Sequence, residues 1–327
     1  MMGDRTSERK GRSAKRRTIR DIMKTKNING NGACQTKYIY PVTGLVKRKP
    51  IISYSEKGPY GDFGSEDKLV AYLETLDDES LRRLSYLYNA MTKRKGGWEF
   101  TDALYKDQPQ TELDKYIYNL KLCRAVWNRK NVVREQLLKT MREYIETGGF
   151  SVENPMQIID LGSGPSDYTI EAFSNFKASD NGSGLPAKAA CIDIDQSALK
   201  RGEELAINAG VNENIEFKRY RIETILKEGG INDANMILAI GVICPYSDDV
   251  VMELFTRSKD ALKNGGAFYT CAVRHHPLEK VLNRAGWILN PREPEYLERM
   301  MKEAGYETEI YLDAEEFFVM ALGRKVL

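Results

Sequence analysis

Residues 157–173 read QIIDLGSGPSDYTIEAF. A short apolar run, MQIIDL, stops on Asp160. A loop with Gly162 and Gly164 follows, and then a stretch of helical character. In an open α/β sheet, ligands bind at the carboxyl ends of the strands, so the loop after such a strand is a candidate site. Two phosphate-binding readings fail. A dinucleotide fingerprint needs a third glycine, but that position holds Asp167, whose charge would repel a pyrophosphate at a helix N-terminus. The G-x-x-x-x-G-K-[ST] loop is absent. The remaining reading is a ligand with a positive charge and no phosphate. Asp160 suits an ammonium or sulfonium, and the glycines admit a close backbone approach.

The pattern around this loop is regular. After Pro155, MQIIDL, KAACIDID, NIEFKRYR, ANMILAIGVI and AFYTCAV read as strands. Helical stretches DYTIEAFSNF, QSALKRGEELAINAG, DDVVMELFTRSKDALKNGG and PEYLERMMKEAG alternate with them. That order means a mostly parallel sheet covered on both faces. The closing pair, YETEIYLD and EEFFVMALGR, is joined tightly and must be antiparallel. Before Pro155 the periods are helical. Leu69, Tyr72, Leu73 and Leu76 form one stripe, and Leu81, Leu84, Tyr88 and Met91 form a second behind Asp78 as N-cap. Two longer patterns, 111–129 and 131–146, end at Gly148–Gly149.

The loop resembles motif I of class I S-adenosylmethionine-dependent methyltransferases, [DE]-x-G-x-G-x-G. Here it runs Asp160, Leu161, Gly162, Ser163, Gly164, Pro165, Ser166, with Ser166 in place of the third glycine. The resemblance covers about 150–327. It implies a Rossmann-like α/β fold: a seven-stranded, mostly parallel sheet with a C-terminal antiparallel strand, preceded by an α-helical N-terminal cap. Three segments are expected: a basic, disordered head over 1–36, read from its composition, a Tyr-rich segment and helical cap over 37–149, and, by the resemblance, a cofactor-binding domain over 150–327. It also assigns the cofactor, S-adenosyl-L-methionine, to Asp160, Gly162, Ser163, Gly164 and Ser166 of the loop and to Gly241 after the fourth strand. The acid closing the second strand, best matched by Asp193, would hold the ribose hydroxyls, with Ile194 beside it and Asp195 as the runner-up. The segment ASDNGSGLP reads as a surface loop inserted before that strand. Adenine recognition departs from the family pattern, because Arg221 cannot accept a hydrogen bond. The backbone of Arg221 and Ile222, or Glu223, takes that role. YIYNLKLCRAVWNRK and WILNPREPEYLERMMKEAGY resemble a poorly characterised group of methyltransferases.

Acceptor residues are expected after the fourth and fifth strands. Cys244-Pro245-Tyr246 lacks the Asp or Asn that would hold an exocyclic amine of a base. Cys244 reads as a buried structural thiol rather than a nucleophile, and Tyr246 as a pocket residue. The chain's two histidines, His275 and His276, follow the fifth strand and are candidate general bases. No third histidine or spaced acid accompanies them, so no metal site is expected. In the cap, Tyr118, Arg124 and above all Arg129 are placed to reach the cofactor carboxylate.

Composition narrows the classes. Residues 1–26 hold ten Lys/Arg against three Asp/Glu, while the chain as a whole carries only +2. The head is strongly basic and the body mildly acidic. Five scattered cysteines without a C-x-x-C pair fit a reducing, cytoplasmic setting. No apolar run is long enough for a membrane span or a signal core. The expected activity is methyl transfer to a small molecule. The rivals are an RNA or protein methyltransferase recruited by the head, with nucleic acid not favoured, and a non-catalytic cofactor-binding protein. Aminopropyl transfer is poor, because no acids open the loop after the fourth strand.

Overall fold

The computed structural model describes residues 51–326 apart from 52, 55–58, 61, 95–96, 180–183 and 228–230. The basic head, Tyr38, Tyr40 and part of the ASDNGSGLP loop lie outside the described residues.

The chain enters through short helices α1 (Glu66–Thr75), α2 (Asp78–Leu84), α3 (Tyr86–Lys93), α4 (Trp98–Lys106) and α5 (Glu112–Ile117). Asp77, not Asp78, caps α2 by accepting from the Ser80 amide at 2.7 Å. Asp78 instead accepts from the Tyr88 hydroxyl. The buried carboxylate of Asp114 joins α3 to α5: it accepts from Ser85 Oγ at 2.6 Å and from the Leu87 and Thr111 amides at 3.2 Å. The Tyr-rich entry packs here too, with the Phe63 ring edge-on to Tyr116.

The two long patterns of the sequence are differently divided. Helix α5 is short, and one 28-residue helix, α6 (Lys121–Gly148), runs unbroken to Gly149, which caps it at φ 65°. Only Lys130 separates the two stripes, and it neither lacks an amide nor favours a turn. Such a helix is roughly 40 Å long. Its first half is tied to the final hairpin by Arg124, which pairs with Glu315 at 2.7 Å. Its last turns donate from Tyr144 Oη to the Gly265 carbonyl at 2.5 Å. The helix therefore runs the length of the sheet along the strand direction, from the carboxyl end of the strand Leu262–Val273 to its amino end.

The sheet follows: β1 (Met156–Leu161), α7 (Asp167–Ser179), β2 (Ala187–Asp193), α8 (Gln196–Asn208), β3 (Ile215–Arg219), α9 (Ile222–Lys227), β4 (Ala234–Ala239), α10 (Asp248–Ala261), β5 (Leu262–Val273), α11 (Glu279–Arg284), α12 (Pro294–Glu303), β6 (Tyr306–Leu312) and β7 (Phe318–Lys325). Strand order is β3-β2-β1-β4-β5-β7-β6 in one seven-stranded sheet. All pairs are parallel except β5–β7 and β6–β7. The resemblance thus gave the architecture correctly. Helices α4, α9 and α11 have no counterpart in the sequence reading. Ile158, Met236, Leu238, Tyr269 and Cys271 face α6 and α7. Ile237, Ala239, Phe268 and Ala272 face α10 and α12. Strand β4 is buried on both faces, as a central parallel strand must be. The order reverses between β1 and β4, which opens a crevice at their carboxyl ends.

Arg292, 1% exposed, organises the loop after β4. It donates to the carbonyls of Ile243 at 3.0 Å and Tyr246 at 2.7 Å and pairs with Asp248 at 2.9 Å. The Asn290 amide donates to the Cys244 carbonyl at 2.7 Å. Arg292→Ala strands these buried carbonyls, so a loss of about 3 kcal/mol is expected. The urea midpoint of unfolding measures it.

Candidate functional site

The β1–α7 loop is built on one carboxylate. Asp160 is fully buried and accepts from Ser166 Oγ at 2.6 Å, Tyr168 Oη at 2.8 Å and Thr169 Oγ1 at 3.1 Å. Burial pushes its carboxyl up to about 6, while the three hydroxyls pull the other way. This corrects the expectation that Asp160 meets a positive ligand. It does not line the cavity but lies beneath the loop and fixes its shape. The backbone turns through left-handed conformations at Gly162, Gly164 and Ser166, with φ of 62°, 55° and 61°. A serine there is strained by about 1 kcal/mol. Its hydroxyl bond to Asp160 explains why serine replaces glycine: the bond offsets the strain.

A second carboxylate holds the loop from the side. Asp193, at the end of β2, accepts from the Gly164 amide and the Asp195 amide, both at 2.8 Å. Asp195 caps α8 through the Ser197 amide at 2.8 Å and pairs with Arg94 of the cap at 2.5 Å. Trp98 Nε1 donates to Ser197 Oγ at 3.2 Å. The cap is thereby fastened beside Asp193.

Between cap and sheet lies a cavity of about 300 Å³. Gly162, Ser163, Gly164, Asp167, Asp193 and Asp195 line it at the β1–β2 end. Ile240, Gly241, Cys244, Pro245, Val273 and Phe318 line it at the β4–β5–β7 end. Trp98, Phe100, Tyr105, Val126 and Trp287 close it from the cap side. The loop can cradle a ligand: a Cβ on Gly164 would stand 3.8 Å from Trp98, its nearest neighbour, on the cavity side. A Cβ on Gly162 would come within 2.6 Å of Val242.

Of the residues expected at the site, Gly162, Ser163, Gly164, Asp193, Gly241 and Arg129 line this cavity. Ser166 lies under it with Asp160. Ile194 is 53% exposed outside it. Arg221 is also exposed and sits 3.7 Å from Glu223. Ile222 and Tyr246 border a separate void of about 30 Å³ between α9 and α10. The histidines are not at the cavity either. After Val273 the chain stays paired with the hairpin, since Arg274 N donates to the Phe317 carbonyl, and then turns at Pro277. His275 is exposed in a surface hollow with Asp248, Glu293 and Tyr296. His276 stacks on Phe317, with centroids 4.8 Å apart, and burial lowers its pKa. Tyr118 donates to the Ala103 carbonyl, and Arg124 is held by Glu315.

Sequence reading missed the aromatic walls. Trp98, Phe100 and Tyr105 come from α4, where Phe100, Ala103 and Leu104 give a short i, i+3, i+4 stripe that does signal a helix. Trp287 and Phe318 carry no local signal.

Among the described residues, no group of three or more His, Cys, Asp or Glu could hold a metal ion. No described helix is long and apolar enough to cross a membrane.

Residues 153–305 match a family model described as a methyltransferase domain. A structure of a possible exported protein from Bordetella parapertussis superposes with a TM-score of 0.59 at 17% identity, covering 80% of this chain and 97% of that one. Magnesium protoporphyrin IX methyltransferase from Synechocystis, with bound S-adenosylhomocysteine, gives 0.48 at 9% identity, over 69% and 93% of the chains. An O-methyltransferase family protein from Burkholderia thailandensis gives 0.48 at 11%, over 80% and 72%. No curated protein matches the chain.

Asp167, on the cavity wall, titrates in the same range as Asp160. Burial, reinforced by Asp102 and Glu171 and opposed by Lys130, pushes it up to about 6. The folded state therefore holds this proton more tightly than the unfolded chain. The stability it contributes is present below about pH 4 and lost as pH rises through about 6. Asp167→Asn should remove that dependence, flattening the pH 4–7 stability profile by on the order of 2 kcal/mol relative to wild type. Urea unfolding at several pH values reads the difference.

Proposed function

We propose that the chain, whose residues 153–305 match a methyltransferase-domain model, is a class I S-adenosylmethionine-dependent methyltransferase that methylates a small molecule enclosed between the strand ends and the helical cap. The observation that carries this reading is the cavity itself. Helix α4 roofs it with Trp98, Phe100 and Tyr105 and helix α6 with Leu122, Val126 and Arg129, and the cap is fastened to the sheet at Asp195 and Glu315. An RNA acceptor calls for a groove lined by several Lys or Arg. Here the cavity's one basic lining residue, among those described, is Arg129.

S-adenosylmethionine supplies an electrophilic methyl group on a sulfonium sulfur. The protein's part is to hold, orient and exclude water. In this proposal the Gly162–Gly164 backbone receives the cofactor closely, with Gly241 opposite. Asp193 receives the ribose hydroxyls. Each of its oxygens already accepts one amide, and a carboxylate oxygen has a further lone pair to offer. Arg221 and Ile194 lie outside the cavity, so adenine would rest on the apolar surface beside Asp193, where Tyr220 and Ile194 are half exposed. A basic head serving a macromolecular acceptor is the second reading.

Two measurements test this. Asp193→Ala should weaken S-adenosylhomocysteine binding by ~1–3 kcal/mol in calorimetry, the value of lost charged hydrogen bonds; unchanged affinity would move the ribose elsewhere. Cell extract supplied with methyl-labelled S-adenosylmethionine should then show enzyme-dependent label in the filterable, small-molecule fraction. The chain lacking residues 1–36 should give the same result. Label confined to RNA or protein, and lost with the head, would favour the second reading.

A further inference from the structure

Helix α6 carries four cations toward the sheet, and three of them have a carboxylate. Arg124 pairs with Glu315 at 2.7 Å, Lys130 with Glu171 at 2.6 Å and Arg134 with Glu171 at 3.0 Å. Arg129 is the exception among the described residues. Its guanidinium donates to Cys271 Sγ at 3.8 Å, lies 4.7 Å from the centre of the Phe318 ring, and interacts with the Tyr105 hydroxyl. No carboxylate pairs with it among the described residues, and burial pushes the Tyr105 hydroxyl up to about 12, so that hydroxyl brings no counter-charge at neutral pH. A cation taken out of water without a counter-charge is costly, and a planar guanidinium matches a carboxylate bidentately.

Its position says whose carboxylate. A Cβ on Gly241 would stand 3.1 Å from Arg129 Nη1, so the guanidinium lies against the end of β4, with Cys271 on β5 and Phe318 on β7 below it. The loop and Asp193 occupy the β1–β2 end. Arg129 thus stands where the cofactor site at Gly241 meets the half of the cavity left for the acceptor. Among the described residues no carboxylate or histidine lines that half: besides Arg129 its polar side chains are Cys244 and Tyr105, both pushed up to about 12 by burial. A nucleophile there must arrive without its proton.

We propose that the methyl acceptor is an apolar carboxylic acid, bound as its carboxylate by Arg129, and that this carboxylate is the group methylated. The proposal rests on the methyl-transfer reading above. One carboxylate oxygen forms the new O–CH₃ bond while the bond from that methyl to sulfur breaks, leaving both electrons on sulfur. The sulfonium charge and the carboxylate charge disappear together, the product is a methyl ester, and no proton moves. The aromatic walls, Trp98, Phe100, Trp287 and Phe318, take the apolar body of the acid.

The test is calorimetric. Phenylacetate, decanoate and their primary amides are titrated into the protein saturated with S-adenosylhomocysteine, for wild type, Arg129→Ala and Arg129→Lys. Wild type should bind an acid at least about tenfold more tightly than its amide. Arg129→Ala should erase that preference. Arg129→Lys, which keeps the charge and loses the fork, should retain part of it and guards against a folding defect. Affinity for S-adenosylhomocysteine alone should stay within about threefold in both variants. Equal binding of acids and amides, or binding of neither, overturns the proposal. So does a loss of about tenfold or more in S-adenosylhomocysteine affinity with the acid preference intact, which would give Arg129 to the cofactor carboxylate. Failure of wild type to bind S-adenosylhomocysteine at all would instead sink the underlying methyl-transfer reading.

Discussion

A single buried carboxylate shapes the site. Among the described residues Asp160 has no cation beside it; three hydroxyls, from Ser166, Tyr168 and Thr169, donate to its carboxylate. Those residues belong to the loop's last turn and the first turn of α7, so the bonds draw the helix start down onto the strand end. They also hold Ser166 in a left-handed conformation. With the loop in that shape, the Gly164 amide points at Asp193, which ties the loop after β1 to the end of β2 on one side of the crevice. Burial alone would disfavour an ionised Asp160. The hydroxyl network makes the arrangement tolerable and specific, since each donor has one place to stand.

The second organising element is α6. Because it runs unbroken along the sheet, the cap is part of the same core as β1 and α7 rather than an appended module. Its early turns roof the cavity, and its late turns anchor at the amino end of β5 through Tyr144. The loops after β4 and α11 are joined to each other by Arg292 and Asn290. The β4–β5–β7 end of the cavity is consequently braced and, Arg129 aside, largely apolar, while the carboxylates collect at the β1–β2 end. A site with one polar half and one apolar half separates the work of holding a cofactor from that of selecting an acceptor.

Much of this was legible in the sequence where the signal is local. Strand, glycine loop and helix are contiguous in QIIDLGSGPSDYTIEAF, and the alternation after Pro155 sets the sheet. Legibility fails where direction matters. Spacing puts Asp160 at the strand end but does not say that its side chain turns under the loop. The same holds for His275 and His276: they follow β5 as a base might, yet pairing of β5 with β7 carries the chain past the cavity before it turns. Arg221 fails differently. It follows an edge strand, where the chain is free to point a long charged side chain into water. The cap's contribution was hidden for a further reason: α4 is a nine-residue helix after a glycine break, and its apolar stripe is too short to weigh against that break. Arg129 was singled out for its chemistry, but only the fold reveals that its neighbours on α6 are paired and it is not.

The most direct test of the central claim is a crystal structure of the full chain with S-adenosylhomocysteine. The account predicts adenosine over the Gly162–Gly164 backbone, both ribose hydroxyls on the Asp193 carboxylate, and Asp160 still bonded to Ser166, Tyr168 and Thr169 beneath the loop. Ribose bound away from Asp193, or Asp160 turned out of its hydroxyl network to meet the ligand, would contradict it.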